Sequence, residues 1–222
     1  MKSFLLLGTT LLLLPALATA QQKAAPKTQK QKVSYTIGLD VGKNMKRQKL
    51  DVDIPQLARG IQDGISDAKP VLSDSEMQEV MTVFQKEVLA RMAEKNKKDG
   101  EAFLAENKNK PGVKTLPSGL QYKVLTEGSG KTPKATDTVV THYRGALIDG
   151  KEFDSSYKRG EPATFPVNRV IPAWVEALQL MKEGAKWQLF VPSNLGYGER
   201  GAGQDIGPNA TLIFDVELIK VK

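Results

Sequence analysis

Few residues of this chain could make or break a covalent bond. It has no cysteine, which removes thiol nucleophiles, thiolate metal sites and disulfides together. Its one histidine, His142, is too few for a histidine metal cluster and reads as a satisfied core or strand residue. A Ser-His-Asp triad is formally available, but no Gly-x-Ser-x-Gly elbow accompanies it. Gly196-Tyr197-Gly198-Glu199-Arg200-Gly201 matches Gly-x-Gly-x-x-Gly. No helical pattern follows, so it offers no helix N-terminus to a phosphate and reads as a loop. What remains is apolar. Val170-Ile171-Pro172-Ala173-Trp174 reads as the lip and floor of a greasy pocket, or as ordinary core around a large aromatic. Asp154, beside Phe153, is an acid in an apolar setting, or a turn residue in an Asp-Ser-Ser run. A pocket of this kind binds and distorts; it has no means of attacking.

The elements that would hold these residues follow from spacing. Pro172 suits the first turn of a helix, where its missing N–H costs nothing. Trp174, Ala177, Leu178 and Met181 continue at helical intervals, predicting a helix over about 172–181. Around it the pattern is β. Residues 121–125, 138–147 and 187–191 are strand-like, Asp149-Gly150 marks a hairpin leading to Phe153, and 212–221 alternates with Leu212, Phe214, Val216 and Leu218 on one side. The expectation over 111–222 is an α+β domain, an antiparallel sheet wrapped on a single helix.

Ahead of a Pro/Gly-bearing boundary at 108–118 the chain is helical. Ile37, Val41 and Met45 share one face, as do Leu57, Ile61 and Ile65, each with a glycine pair alongside: Gly38 and Gly42, Gly60 and Gly64. Glycines inside helices cost about 1 kcal/mol each against alanine, so two such pairs predict close helix–helix approach. Ser73-Asp74-Ser75-Glu76 is a capping box that opens a third helix, with Met77, Met81, Phe84, Val88 and Met92 on its stripe. Residues 94–101 contain no apolar side chain. If the helix runs on to about Asn107, its middle is expected to be bare to solvent, with Gly100 a weak point. Residues 33–93 hold too few large apolar side chains for an independent core, which predicts a homodimer built on this segment. The methionine stripe reads first as dimer core and second as an adaptable surface for unfolded clients.

Charged residues are 26% and hydrophobic residues 40% of the chain, an ordinary globular balance. More than half of the +7 net charge sits in Lys23, Lys27, Lys30 and Lys32, so the basic character is largely a tail over 21–32, read as flexible. Without a basic face interleaved with aromatics, nucleic acid is not an expected partner. Lys2, the apolar run from Phe4 to Leu14 and Ala18-Thr19-Ala20 make residues 1–20 a cleavable signal peptide. Export to a periplasm follows, with outer-membrane association or secretion as alternatives. A third use of the tail and front domain, as a surface adhesin, stays open.

Thr141-His142-Tyr143-Arg144-Gly145, residues 150–156, Val170-Ile171-Pro172-Ala173-Trp174, Gly196-Tyr197-Gly198 and residues 210–218 together resemble the FKBP family of peptidyl-prolyl isomerases, over about 110 residues in order. The helical front and signal peptide resemble the Mip/FkpA-type bacterial envelope subgroup. The resemblance implies a five- or six-stranded half-barrel around one helix, an all-α dimerisation domain with linker helix over 33–110, and a V-shaped dimer. It implies rotation about X-Pro bonds without cofactor or metal, on proline-containing unfolded clients, with FK506-type macrolides as inhibitors. Carried over by position, Tyr143, Phe153, Asp154, Ile171, Trp174, Tyr197 and Phe214 form the catalytic pocket, and Phe165, Val170 and Ile206 complete the substrate-binding surface. The Ile171 N–H and Tyr197 hydroxyl are implied to bond ligand carbonyls. Ala163 and Ala202 depart from the family pattern at the rim and bear on substrate preference. A non-catalytic binding module on the same fold is the competing class.

Overall fold

The computed structural model describes residues 25–48 and 50–222. The signal-peptide reading and the first part of the tail lie outside them. By internal contacts the chain divides into a unit ending at Ala68 and a unit from Lys69 to Lys222.

The first unit holds α1 (Gln29–Arg47) and α2 (Ile54–Ile65). Thr28 caps α1 in a reciprocal capping box with Gln31, so the helix begins inside the stretch read as tail. Asp53 caps α2, and Pro55 sits in its first turn. Neither helix has a buried residue. The expected close approach at Gly38, Gly42, Gly60 and Gly64 is not made among the described residues, none of which lies within 4 Å of a Cβ built at any of them. Ile37, Ile61 and Ile65 are more than half exposed.

The second unit opens with α3 (Asp74–Asn107), started by the Ser73/Glu76 capping box. At 34 residues it is about 50 Å long. The expectation that its middle is bare to solvent holds for Glu94, Lys95, Lys97, Lys98 and Glu101 but fails on one face. Gly100 and Asn107 are buried, and Asn96, Asp99, Phe103 and Leu104 are partly buried. This is a docking stripe at helical intervals. It escapes hydropathy because much of its footprint is amide or no side chain at all. Asn96 Nδ2 donates to Pro208 O at 2.8 Å, Gln121 Nε2 to Leu104 O at 2.8 Å, and Asn107 Nδ2 to Gln121 Oε1 at 3.0 Å. Phe103 meets Phe190 with ring centroids 6.0 Å apart. At Gly100 a Cβ would overlap the Thr211 hydroxyl, so the glycine is a contact surface and not a weak point.

Seven antiparallel strands follow: β1 (Val113–Thr115), β2 (Gln121–Thr126), β3 (Thr138–Leu147), β4 (Glu152–Ser155), β5 (Ala163–Pro166), β6 (Lys186–Val191) and β7 (Leu212–Val221). Their order is β1-β2-β6-β7-β3-β4, with β5 also on β3. The five or six strands expected become seven because β4 and β5 share one edge of β3, at its two ends, and β1 adds three residues. The short helices are α4 (Ser156–Arg159) and α5 (Pro172–Leu178). Asp149-Gly150 makes the β3–β4 turn, with Gly150 at φ 87°, a conformation glycine adopts without strain.

Alternation along β7 is as read: Leu212, Phe214, Val216 and Leu218 are buried, and Ile219 is exposed. These side chains meet Trp174, Ala177, Leu178 and Met181 from α5 and the turn after it, in one continuous core with Leu189 and Val191 from β6. Burying a side chain of that size is worth about 1.5–3 kcal/mol, which is what holds the sheet curled over α5.

Candidate active site

The concave end of this core is an apolar cavity of about 310 Å³, walled by Tyr143, Phe153, Asp154, Phe165, Arg169, Val170, Ile171, Trp174, Tyr197 and Phe214. Six segments supply it. Tyr143 comes from β3, Phe153 and Asp154 from β4, Phe165 from β5, Val170 to Trp174 from the entry to α5, Tyr197 from the loop before β7, and Phe214 from β7. A larger concavity of about 610 Å³ on α1 is walled, among the described residues, by the charged side chains Asp40, Lys43, Lys46 and Arg47, with no aromatic ring among them.

The aromatic rings are mutually fixed. Trp174 lies edge-on to Tyr143 (5.3 Å, 85°), to Phe214 (5.5 Å, 83°) and to Phe165 (5.9 Å, 88°). Phe153 lies edge-on to Phe214 (5.6 Å, 83°). Each such pair is worth about 0.5–1.5 kcal/mol beyond burial, so the cup keeps its shape when empty. Gly145 makes room for it. It pairs with Asp154 across β4 and with Phe214 across β7, and a Cβ there would stand 2.6 Å from Phe153 Cε2 and 2.8 Å from Phe214 Cε1.

One wall is polar. The Tyr143 hydroxyl donates to Asp154 Oδ2 at 2.5 Å, and Arg159 Nη2 donates to the Tyr143 hydroxyl at 2.9 Å. Arg159 Nη1 also pairs with Asp154, and its guanidinium lies 5.4 Å from the Tyr143 ring centroid. Burial alone would push the Asp154 carboxyl up. The hydrogen bonds from Tyr143 and Arg159, with the charge of Arg159, outweigh it and hold Asp154 below the ordinary carboxylate range. Burial, then the Asp154 hydrogen bond, pushes the Tyr143 phenol up. Burial and the Asp154 charge do the same for Tyr197. The site near neutral pH is therefore a fixed carboxylate, two neutral phenols and apolar walls. It contains no activated nucleophile.

Of the residues expected from sequence, all line this cavity except Ile206. That residue is buried in the adjoining core with Tyr143, Trp174 and Phe214. Its N–H and C=O are spent on a bridge to Ala202. Asp154 sits in β4 and is not a turn residue; the neighbouring serines take the local bonds. Ser155 caps α4, and the Ser156 hydroxyl accepts from Tyr143 N at 2.8 Å. His142 faces away from the cavity, 3.0 Å from Ser156 Oγ and stacked on Tyr157. Sequence reasoning missed Arg159 and Arg169. Arg159 carried a usable signal, a base five residues beyond the acid and just before Gly160.

Residues 129–219 match the family model for FKBP-type peptidyl-prolyl cis-trans isomerase, and residues 30–124 match that for the domain amino terminal to it. The chain is 52% identical over 202 residues to the outer membrane protein MIP of Legionella longbeachae, covering 88% of this chain and 87% of that one. It is 42% identical over 222 residues to FkpA of Escherichia coli K12, covering 94% and 81%. The crystal structure of FkpA from Escherichia coli superposes with a TM-score of 0.65 at 40% identity, covering 89% of this chain and 99% of that chain. An aromatic cup on a curled antiparallel sheet, joined to these matches along most of the sequence, leaves one conclusion: the chain belongs to the FKBP family and is a peptidyl-prolyl cis-trans isomerase.

Proposed function

We propose that the aromatic cavity is where the isomerisation occurs, and that the enzyme serves exported proteins as they fold. The supporting observation is the cup itself: interlocked rings around an apolar hollow, with one wall of Tyr143, Asp154 and Arg159. A peptide bond resists rotation by about 18–20 kcal/mol because twisting destroys its resonance. Unaided X-Pro isomerisation takes about 10–100 s. A turnover near 10³ s⁻¹ requires a barrier of about 13 kcal/mol, so the site must remove roughly 5–7. No bond breaks, so the energy comes from holding the twisted imide better than either planar form. The prolyl ring packs on Trp174 between Tyr143, Phe165 and Phe214. The Ile171 N–H and the Tyr197 hydroxyl hold the flanking carbonyls. Asp154, fixed by Tyr143 and Arg159, faces the imide with a fixed negative charge. FK506-type macrolides would compete for the same hollow.

Two further parts of the reading rest on the front of the chain. The apolar faces of α1 and α2, open around all four glycines, suit a second copy of the chain, giving a homodimer through residues 33–93. Two cavities held on one dimer would flank a client, which is the basis for an added chaperone activity. The N-terminal charge and hydropathy pattern supports export to the periplasm.

A proline-limited refolding assay tests the site. Wild type should accelerate the slow phase, while Tyr197→Phe and Asp154→Ala should lower kcat/KM by about 3- to 30-fold. Variants indistinguishable from wild type would move catalysis elsewhere.

A further inference from the structure

The second half of α3 grips the loop that carries Tyr197. Between Gly196 and Thr211 the chain has almost no regular structure: one three-residue 3-10 turn and the Ala202–Ile206 bridge. Four of its residues, Gly198, Gly201, Gly203 and Asn209, have positive φ, and the first and last are tied together: Asn209 N donates to Gly198 O at 2.8 Å. Gly198 follows Tyr197 directly. On the far side, Pro208 O accepts from Asn96 Nδ2 at 2.8 Å, a contact spanning 112 residues of sequence. Gly207 lies so close to α3 that a Cβ there would stand 2.7 Å from Met92 Sδ and 3.0 Å from Asn96 Nδ2. The base of the loop, Thr211, is seated against Gly100.

We propose that Asn96 is a positioning residue of the isomerase: by fixing Pro208 it sets Asn209, hence Gly198, hence where the Tyr197 ring stands at the cavity mouth. Asn96 does not line the cavity and touches no substrate. The catalytic unit then begins within α3, well before the first strand. The inference rests on the cavity being the catalytic site.

The test is a double-mutant cycle on the full-length protein, with a proline tetrapeptide as substrate. Asn96→Asp keeps the shape of the side chain but replaces the donor with a carboxylate that repels Pro208 O; Asn96→Ala removes both. Each should lower kcat/KM by about three- to tenfold, with Asp no better than Ala, whereas a packing role would be rescued by the isosteric Asp. In a Tyr197→Ala background the same changes should have little further effect, because coupled residues are not additive. Native-state hydrogen exchange at the Asn209 amide should speed up in Asn96→Asp, a readout independent of turnover. Wild-type activity in both Asn96 variants, rescue by Asp, or a full additive loss on top of Tyr197→Ala would each overturn the positioning role. If Tyr197→Ala alone leaves activity unchanged, the cavity assignment falls first and the positioning role with it.

Discussion

At the scale of single residues, the site depends on what is absent as much as on what is present. Gly145 is the clearest case, because a methyl group there collides with Phe153 and Phe214 together. Gly145→Ala should splay that edge-to-face pair and cut kcat/KM at least about tenfold, while far-ultraviolet circular dichroism stays native. Thr141 offers the opposite experiment. Its hydroxyl is fully buried without a hydrogen-bond partner. Thr141→Val removes an unsatisfied polar group at nearly constant volume and should raise the thermal midpoint by about 2–4 °C in a scanning calorimeter. The charge state of the cavity makes a further prediction. Asp154 is held below the ordinary carboxylate range, and Tyr143 and Tyr197 are pushed above the ordinary phenol range. None of these groups changes charge between about pH 5 and pH 9, so kcat/KM should be flat there. A bell-shaped profile in that window would count against the assigned residues. For stability the sign is that of a depressed acid: the Asp154 contribution is present above its unfolded value and is lost as pH falls through the lower folded one. Its side chain is 42% exposed, so solvent weakens the effect.

At the scale of elements, the instructive one is α3. Its capping box and its extent to Asn107 are legible in the sequence, because both depend on local hydrogen-bond and propensity rules. Its partner is not legible. A docking stripe of Asn96, Gly100 and Asn107 has no hydrophobic periodicity to detect, and complementarity resides in Pro208, Thr211 and Gln121 on distant segments. Asn107 and Gln121 form a buried, mutually satisfied amide pair. Asn107→Ala should therefore destabilise the unit by about 1–3 kcal/mol in urea titration, since it leaves the Gln121 oxygen buried and unpaired. Asn107→Leu combined with Gln121→Leu should recover part of that loss. The strands divide in the same way. β7 announces itself by strict alternation, whereas β1 and β5, three and four residues long, exist only because longer neighbours provide an edge.

At the scale of the whole molecule, α1 and α2 have every residue at least partly open and no core of their own. Helices draw most of their stability from packing an apolar face against a neighbour, and this supports the dimer reading. Ile61→Asp, on the open face of α2, should convert the particle to monomer in sedimentation equilibrium. It should leave tetrapeptide kcat/KM within about twofold of wild type, because the cavity lies wholly within the unit from Lys69. Suppression of client aggregation should fall in the same variant. Retained suppression by a monomer would separate the chaperone activity from dimerisation.

By itself the sequence determined the exclusions and the local elements. One histidine and no cysteine remove thiol chemistry and histidine or thiolate metal clusters, alternation and capping locate the main strands and helices, and the spaced motifs from Tyr143 to Phe214 carry the family resemblance. Those features depend on neighbours a few residues apart. Only the tertiary structure decided that Arg159 locks Asp154 to Tyr143, that Ile206 pairs with Ala202 and packs into the adjoining core, and that α3 reaches the Tyr197 loop. Each of these is a polar or close-packed contact between segments brought together by the curl of the sheet over α5. Such contacts depend on distance and direction in space, and linear spacing does not encode them.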